Sequence, residues 1–456
     1  MRVKNNEYDV IIIGGGPGGY TAALTIKRIH KDRRVLLIRE SEKAIIPCAI
    51  PYLPATLGSC EKDVLSDEPL IKSNVDIVID KVVDVDRKEK VVITANGRRF
   101  KYVKLILATG SKPFIPPGLE GVNLKGVYEI AKDVEHLNEL LRAIRGSRRV
   151  VILGGGYTGV ELATDLISLG KEVVIVDMLS QCLRVSLDDE FAREVTQELE
   201  RKGVRVILGK RVKAIYGGER AEGVELEDGE RISGDLVILA MGTKPNVDLA
   251  REIGLKIGEH GGILVDEYMR TSDPDIYAIG DCAEKRSFLT GRHKLLCLAS
   301  IAAYEARIVA LNLFGIRTHK AISGHIGVSI TKVGDRVFAV SGITEDEAKR
   351  EGIDVICGKF ETLNRHPSGL PGATKVKLKL IFSKSDMRLI GAEASGGNEI
   401  AELINLLSFA IQKKATVSEL IMLQYGTQPL LTSSPIAYPI VSAALDAYMK
   451  FEKAHR

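Results

Sequence analysis

The chain has 456 residues, of which 45% are apolar and 27% charged, a composition typical of a globular protein with more than one domain. The net charge of only +4, without a sustained basic run, argues against a dedicated nucleic-acid or anionic-membrane binder. Six scattered cysteines without a Cys-x-x-Cys pair argue against a disulfide framework or a metal site. We expect no membrane span and a cytoplasmic location, because the first apolar run is short and is followed by glycines.

The first apolar run is followed by a glycine-rich turn and then a helical pattern, the order of a dinucleotide-binding fingerprint. In such a fingerprint Gly14 allows the turn, Gly16 lets the backbone approach a pyrophosphate, and Gly19 lets the helix pack closely against the strand. A second predicted strand, residues 35–38, leads into Glu40. A carboxylate at that place would accept hydrogen bonds from an adenosine ribose.

The same pattern recurs in the middle of the chain. Gly154, Gly156 and Gly159 follow another apolar run, and the next predicted strand ends at Asp177. Each copy then closes on a similar apolar strand and turn, at residues 105–113 and 237–245. The chain therefore contains a long internal duplication with two dinucleotide sites.

Other segments complete the predicted fold. Residues 75–94 and 98–103 suggest antiparallel strands, with a hairpin turn at Asn96-Gly97. A further strand leads into Gly280-Asp281 and a helix, and from about Ser323 the pattern is that of an α+β domain. We predict an α/β fold with two Rossmann-like dinucleotide-binding domains and a C-terminal α+β domain.

Cys48 lies in a turn bracketed by Pro47 and Pro51, shortly after the first nucleotide unit. A single cysteine of this kind is either a buried packing residue or a redox centre. The two predicted nucleotide sites favour the second interpretation.

These motifs resemble the pyridine nucleotide-disulfide oxidoreductase family of two-dinucleotide flavoproteins over nearly the whole chain. The resemblance implies an FAD domain, an inserted NAD(P) domain, a return to the FAD domain and a dimerisation domain, at residues 1–118, 119–246, 247–322 and 323–456. It implies FAD and NADH as cofactors and a homodimer with a shared active site. NADPH is the less favoured nucleotide, because Asp177 would repel a 2′-phosphate.

The resemblance also assigns residues to the two cofactor sites. The positions that match the FAD site are Gly14, Gly16, Gly19, Glu40, Ala108, Thr109, Gly110 and Asp281. Those that match the NAD site are Gly154, Gly156, Gly159 and Asp177, and Gly242 in the duplicated turn is also assigned to cofactor binding. Tyr157 resembles the tyrosine that gates the nicotinamide pocket, and Glu161 resembles the glutamate near the nicotinamide carboxamide.

The turn around Cys48 resembles the single-cysteine branch of the family, which contains coenzyme A-disulfide reductases, NADH oxidases and peroxidases, and sulfur or persulfide reductases. A second redox cysteine is missing at position 53, and Cys60 is an unlikely partner. Pro17 replaces the histidine of the peroxidases and water-forming oxidases. Gln428 stands where the dithiol reductases have an acid-base histidine, and an amide cannot act as a general acid at neutral pH.

The resemblance implies a relay in which NADH reduces FAD and the flavin reduces Cys48, whose thiolate attacks a disulfide, persulfide or polysulfide. Tyr425, Gln428 and Tyr438 are candidate contributions from a partner subunit, with interface packing as the alternative. Two other functions remain open: an NADH oxidase that uses oxygen, and a redox-sensing flavoprotein.

Overall fold

The computed structural model describes residues 6–315 and 323–454, and these residues form two compact units. The first unit comprises residues up to 117, residues 128–146 and residues from 241 to 325. The second comprises residues 118–127, 147–240 and those from 326 onward. The four-segment domain division implied by the resemblance stays a prediction.

The first unit is built on a seven-stranded sheet. Six of its strands lie in the order Val75–Ile79, Val35–Arg39, Glu7–Ile13, Arg99–Leu107, Val91–Thr94 and Val82–Asp86. The seventh, Ile276–Ala278, pairs in parallel with the end of Arg99–Leu107. The central strands are continuous apolar runs because both faces of a parallel sheet are covered.

Two details of this sheet test the sequence pattern. The hairpin predicted at Asn96-Gly97 is confirmed, since it joins two antiparallel strands and Gly97 has φ +74°. The antiparallel prediction for the segment from residue 75 is wrong at its start. Val75–Ile79 pairs in parallel with Val35–Arg39, because it follows a crossover and extends the central sheet.

Helices and short paired strands surround the first sheet. The α-helices are Pro17–Ile29, Glu68–Lys72, Val134–Gly146, Asp248–Glu252 and Ala299–Asn312. Short 3₁₀ helices lie at Pro47–Tyr52, Cys60–Asp63 and Gly280–Cys282, and a π-helical turn lies at Leu53–Leu57. The short strands are Ala44–Ile45 with Val64–Leu65, Ser111–Pro113 with Thr243–Pro245, and Ile263–Leu264 with Ala283–Arg286 and His293–Lys294.

The second unit contains three sheets. One has the strand order Leu236–Leu239, Arg149–Leu153, Glu172–Val176 and Arg205–Ile207, and the strand Val127–Glu129, whose first residue belongs to this unit, is the next after Leu236–Leu239. A small antiparallel sheet is formed by Val212–Gly217, Ala221–Leu226 and Arg231–Ser233. The C-terminal antiparallel sheet has the order Val328–Val333, Arg336–Gly342, Leu389–Gly396, Lys375–Ser383 and Val355–Leu363.

Helices pack on these sheets of the second unit. They are Tyr157–Ile167, Asp189–Arg201, Glu345–Arg350, Ile400–Gln412, Val417–Ile421 and Pro439–Ala454, with a short turn at Pro435–Ala437. The C-terminal helix Pro439–Ala454 lies close against Val355–Leu363, where Gly358 leaves no room for a Cβ beside the Ala443 carbonyl. No helix in the described parts of the chain is long and apolar enough to span a membrane.

Candidate active site and nucleotide sites

The first glycine turn has the geometry that a bound pyrophosphate requires. A Cβ on Gly14, which has φ +112°, would lie 2.1 Å from the Ala108 carbonyl oxygen, and one on Gly19 would lie 1.9 Å from the Gly14 carbonyl oxygen. A Cβ on Gly16 would meet nothing within 4 Å. Gly16 precedes helix Pro17–Ile29, and no side chain caps the helix. No side chain therefore competes with a bound anion for the N-terminus of this helix.

The residue at the end of the second strand is Arg39, followed by Glu40. Arg39 is buried, and its Cδ atom lies 2.7 Å from where a Cβ on Gly15 would stand. Its guanidinium forms two 2.6 Å hydrogen bonds with the Asp67 carboxylate. The Glu40 side chain is 70% exposed and lies 3.8 Å from Lys81. The role of Glu40 at the ribose stays a prediction.

The turn at Ala108, Thr109 and Gly110 is tied to the duplicated turn that begins at Gly242. The Thr109 hydroxyl donates to the Asn246 carbonyl at 2.7 Å, and the Asn246 amide donates to the Gly110 carbonyl at 2.9 Å. The strands Ser111–Pro113 and Thr243–Pro245 that follow the two turns pair with each other. The repeated sequence thus forms a two-stranded element in which each copy supports the other.

Asp281 lies in a tightly held turn. Its Oδ2 accepts hydrogen bonds from the Ser111 hydroxyl at 2.7 Å and from Lys132 Nζ at 3.0 Å. The Gly280 amide before it donates to the buried Glu305 carboxylate at 2.6 Å, and Lys285 Nζ donates to the Gly280 carbonyl at 2.5 Å. Sequence reasoning missed these supporting residues, because they are distant from Asp281 in the chain or follow it without any motif.

Cys48 lies in the short helix Pro47–Tyr52 and is exposed. Burial raises the pKa of each of the other five cysteines, to about 12 for Cys182 and Cys357. Cys60 is fully buried, so its thiol is not accessible to a substrate. Cys48 and Cys297 are the two exposed cysteines, and of these two only Cys48 lies shortly after the first nucleotide fingerprint in the sequence.

The second glycine turn repeats the geometry of the first. A Cβ on Gly159 would lie 2.0 Å from the Gly154 carbonyl oxygen, and one on Gly156 would meet nothing within 4 Å. Asp177 follows the strand and accepts from the Gly155 amide at 2.5 Å and from the Leu179 amide at 2.7 Å. Each carboxylate oxygen retains a second lone pair, so Asp177 can also accept from ribose hydroxyls.

Tyr157 and Glu161 both contact the strand Val328–Val333. The Glu161 carboxylate accepts from the Thr331 hydroxyl at 2.8 Å. Burial raises the pKa of Tyr157, and hydrogen bonds with Ser329 and Ser186 oppose this effect. Both side chains are therefore anchored at the start of the second nucleotide helix, and their roles toward nicotinamide stay predictions.

Gln428 lies in an exposed turn, where its side-chain oxygen accepts from the Leu430 amide at 2.7 Å. Tyr425 and Tyr438 stack with ring centroids 3.9 Å apart, and the Tyr425 hydroxyl donates to the Pro435 carbonyl. The three candidates therefore belong to one local structure. Their contribution to a partner's site stays a prediction.

The residues present fit two dinucleotides. Each glycine turn has an open face at Gly16 or Gly156, and each opens on helix amides without a side-chain cap. In the described residues no group of three or more His, Cys, Asp or Glu side chains is placed to hold a metal ion. The fold and these two sites define a protein with two dinucleotide-binding units.

The chain belongs to the pyridine nucleotide-disulphide oxidoreductase family. The family model matches residues 8–306, and the model of the family's dimerisation domain matches residues 328–436. Membership confirms the predicted fold class, the enzyme class and the use of FAD and NAD(P)H.

Relatives in this family match over most of their length. An "NADH oxidase" of Methanocaldococcus jannaschii is 34% identical over 96% of this chain and 98% of the relative. An "NAD(P)H coenzyme A polysulfide/persulfide reductase" of Pyrococcus horikoshii is 33% identical over 87% of this chain and 89% of the relative. The solved structure of an NAD-dependent persulfide reductase from A. fulgidus superposes with a TM-score of 0.90 at 31% identity, covering 97% of this chain and 84% of that one.

Proposed function

We propose that the enzyme carries electrons from NADH through FAD to Cys48, which reduces a small-molecule disulfide, persulfide or polysulfide. The observation that carries this proposal is the exposed Cys48 in the short helix that follows the first nucleotide unit. Cys297 is the other exposed cysteine, but partial burial of its thiol raises its pKa, and the remaining four cysteines are less exposed and also have raised pKa values. A nucleophilic sulfur must be accessible and deprotonated.

FAD, when bound, supplies the two-electron transfer between NADH and sulfur. The Cys48 thiolate attacks one sulfur of the acceptor, forms a mixed disulfide with it and releases the other sulfur as a thiolate or hydrosulfide. Two electrons from NADH then cleave the mixed disulfide, which restores the Cys48 thiolate and releases the bound fragment of the acceptor as a second thiolate. The released thiolate is protonated by solvent, because Gln428 has no acidic proton to give.

The relatives named as persulfide reductases support this acceptor class. The relative named as an NADH oxidase supports oxygen as the second candidate acceptor. Neither of these observations supports the third candidate, a redox-sensing flavoprotein without turnover. We also keep a cytoplasmic location as a prediction.

We propose NADH as the preferred nucleotide. The Asp177 carboxylate stands at the end of the second strand, where a 2′-phosphate would meet its charge. Arg184 does not offset that charge, because its guanidinium pairs with Asp346 and donates to the Leu187 carbonyl at 3.0 Å. Comparing kcat/KM for the two nucleotides tests this, and a higher value for NADPH would contradict it.

The matched dimerisation domain supports a homodimer. We propose that the partner's C-terminal turns complete each active site, with Tyr425, Gln428 and Tyr438 as the contributing residues. The stacked tyrosines give this surface a rigid aromatic face.

The test of the sulfur chemistry is Cys48→Ser, with Cys357→Ser as the matched control in the second unit. NADH reduction of the native enzyme should produce a long-wavelength thiolate-to-flavin charge-transfer band. Cys48→Ser should abolish that band and at least 99% of disulfide, persulfide and polysulfide reduction, about 3 kcal/mol of transition-state stabilisation, while flavin reduction by NADH survives.

Cys357→Ser should leave the band and turnover in place. Intact-mass measurement of the oxidised protein then shows what Cys48 carries: a coenzyme A adduct or one added oxygen. Sulfur turnover retained in Cys48→Ser would refute the proposal, and oxygen consumption alone would favour the oxidase.

A further inference from the structure

The two nucleotide units can be compared residue by residue through the registers of their strands. In the first unit Ile13 pairs with Ile38, so the next positions, Gly14 and Arg39, correspond. In the second unit Leu153 pairs with Val176, so Gly154 and Asp177 correspond. The backbone hydrogen bonds show the same correspondence: the Gly14 amide donates to the Ile38 carbonyl, and the Gly154 amide donates to the Val176 carbonyl. Arg39, and not Glu40, therefore occupies the place that Asp177 has in the second unit.

The surroundings of the two positions confirm the correspondence. A Cβ on Gly15 would meet Arg39, and a Cβ on Gly155 would lie 3.2 Å from Asp177 Oδ2. The Gly155 amide donates to Asp177, whereas a guanidinium has no acceptor atom for the Gly15 amide. Arg39 therefore cannot accept from the Gly15 amide as Asp177 accepts from the Gly155 amide.

Arg39 is fixed in a way that leaves it one free donor. Its Nε donates to the Ser41 carbonyl at 3.0 Å, one terminal nitrogen donates to Asp67, and the other donates to Asp67 and to the Glu42 carbonyl at 2.5 Å. These contacts use four of the five N–H groups of the guanidinium. The side chain of Asp67 is 31% exposed, and each of its carboxylate oxygens accepts one bond from Arg39 and retains a second lone pair.

Glu40 is less suited to the same task. It lies in the bend just after the strand Val35–Arg39, one position beyond the residue that corresponds to Asp177. Its carboxylate is 70% exposed and lies near Lys81, itself 62% exposed. An exposed carboxylate is well hydrated and contributes little to binding.

We propose that the Arg39–Asp67 ion pair, and not Glu40, binds the adenosine ribose of FAD. Asp67 accepts from a ribose hydroxyl, and Arg39 holds Asp67 in place and donates its remaining N–H to the nucleotide. The proposal rests on the family's use of FAD and not on the sulfur chemistry of Cys48.

The experiment measures the dissociation constants of FAD and of an FAD analogue lacking the adenosine 2′-hydroxyl, using the full-length apoprotein. The native protein should bind the analogue about tenfold more weakly, the loss expected for one hydrogen bond to a charged group. Asp67→Asn should reduce this discrimination to less than threefold. The isosteric control Glu40→Gln should retain it.

Because the readout is a ratio of two ligands on one protein, a general loss of stability does not produce the expected pattern. Arg39→Lys gives a second test, because lysine keeps the positive charge but lacks the planar guanidinium that bonds both oxygens of Asp67. This variant should also lose the discrimination between FAD and its 2′-deoxy analogue. Discrimination that persists in Asp67→Asn, that disappears in Glu40→Gln, or that is absent from the native protein would overturn the proposal.

Discussion

At the scale of single residues, Asp63 is the most unusual group near the Cys48 turn. It is fully buried, and neither carboxylate oxygen has a hydrogen-bond partner among the described residues. Its backbone carbonyl accepts from the Ile46 amide at 3.0 Å, two residues before Cys48. Burial raises the pKa of Asp63 to about 6, so a proton rather than a partner neutralises it in mildly acidic solution.

This pKa makes stability depend on pH in a defined direction. Below about pH 4 the carboxyl is protonated in both the folded and the unfolded chain. As the pH rises toward 6 and above, the unfolded chain releases the proton first, so the free energy of unfolding falls, in total by roughly 3 kcal/mol. An asparagine at position 63 cannot ionise, so in Asp63→Asn the free energy of unfolding does not fall for this reason as the pH rises. We expect the variant to melt several degrees above the native protein at pH 8 and to lose that advantage at pH 4.

The measurement is the melting temperature of both proteins from pH 4 to pH 8, compared as a difference. Glu61→Gln is the matched control, because Glu61 is an exposed carboxylate in the same short helix. It should show no rise at pH 8. A difference between Asp63→Asn and the native protein that does not change with pH would contradict the assigned ionisation.

At the scale of elements, the glycines of each strand–turn–helix unit divide into two kinds. Gly19 and Gly159 each face a backbone carbonyl oxygen that a Cβ would meet at 1.9 Å and 2.0 Å. Gly16 and Gly156 face open space and have extended backbone that any residue adopts. The first kind is required for folding, and the second kind is required only when the nucleotide is bound.

We therefore expect Gly19→Ala and Gly16→Ala to fail in different ways. Gly19→Ala forces the helix away from the strand, so the apoprotein should melt several degrees lower. Gly16→Ala should melt within about 2 °C of the native apoprotein but bind FAD about tenfold more weakly, because its methyl group occupies the face of the turn. Melting curves and FAD titrations of both variants separate the two effects, and equal melting temperatures would show that Gly19 is not a packing position.

The same comparison explains what the sequence could predict. The glycine spacing predicted both nucleotide units, because only glycine allows these close backbone approaches. The identity of the residue opposite Gly14 depends on the register in which the two strands pair. Residues 35–38 are all apolar, so the sequence does not show whether Arg39 or Glu40 takes that position. Asp63 was missed because Cys60–Asp63 is polar in sequence and resembles a solvated loop. The supports of Asp281 depend on long-range contacts that no local pattern encodes.

At the scale of the whole molecule, the exposed apolar side chains are concentrated in the C-terminal part of the described chain. Nine of the 18 exposed large apolar side chains among the described residues lie there: Leu406, Phe409, Met422, Leu430, Leu431, Ile436, Leu445, Tyr448 and Met449. Ile436 is 94% exposed and Leu431 is 69% exposed. So many large apolar groups on the matched dimerisation domain, residues 328–436, and on the C-terminal helix that follows it indicate a surface that is covered in the assembled enzyme.

We expect Leu431→Asp with Ile436→Asp to convert the homodimer into monomers at micromolar concentration. Burying one such side chain contributes roughly 1.5–3 kcal/mol, and an aspartate in its place adds the cost of removing a charge from water. Sedimentation equilibrium measures the change, and Ile71→Asp is the matched control, since Ile71 is 64% exposed in the first unit. The control should remain dimeric. If the proposed shared site is correct, the monomeric variant should still bind FAD yet lose sulfur reduction, whereas full turnover as a monomer would show that each chain has a complete active site.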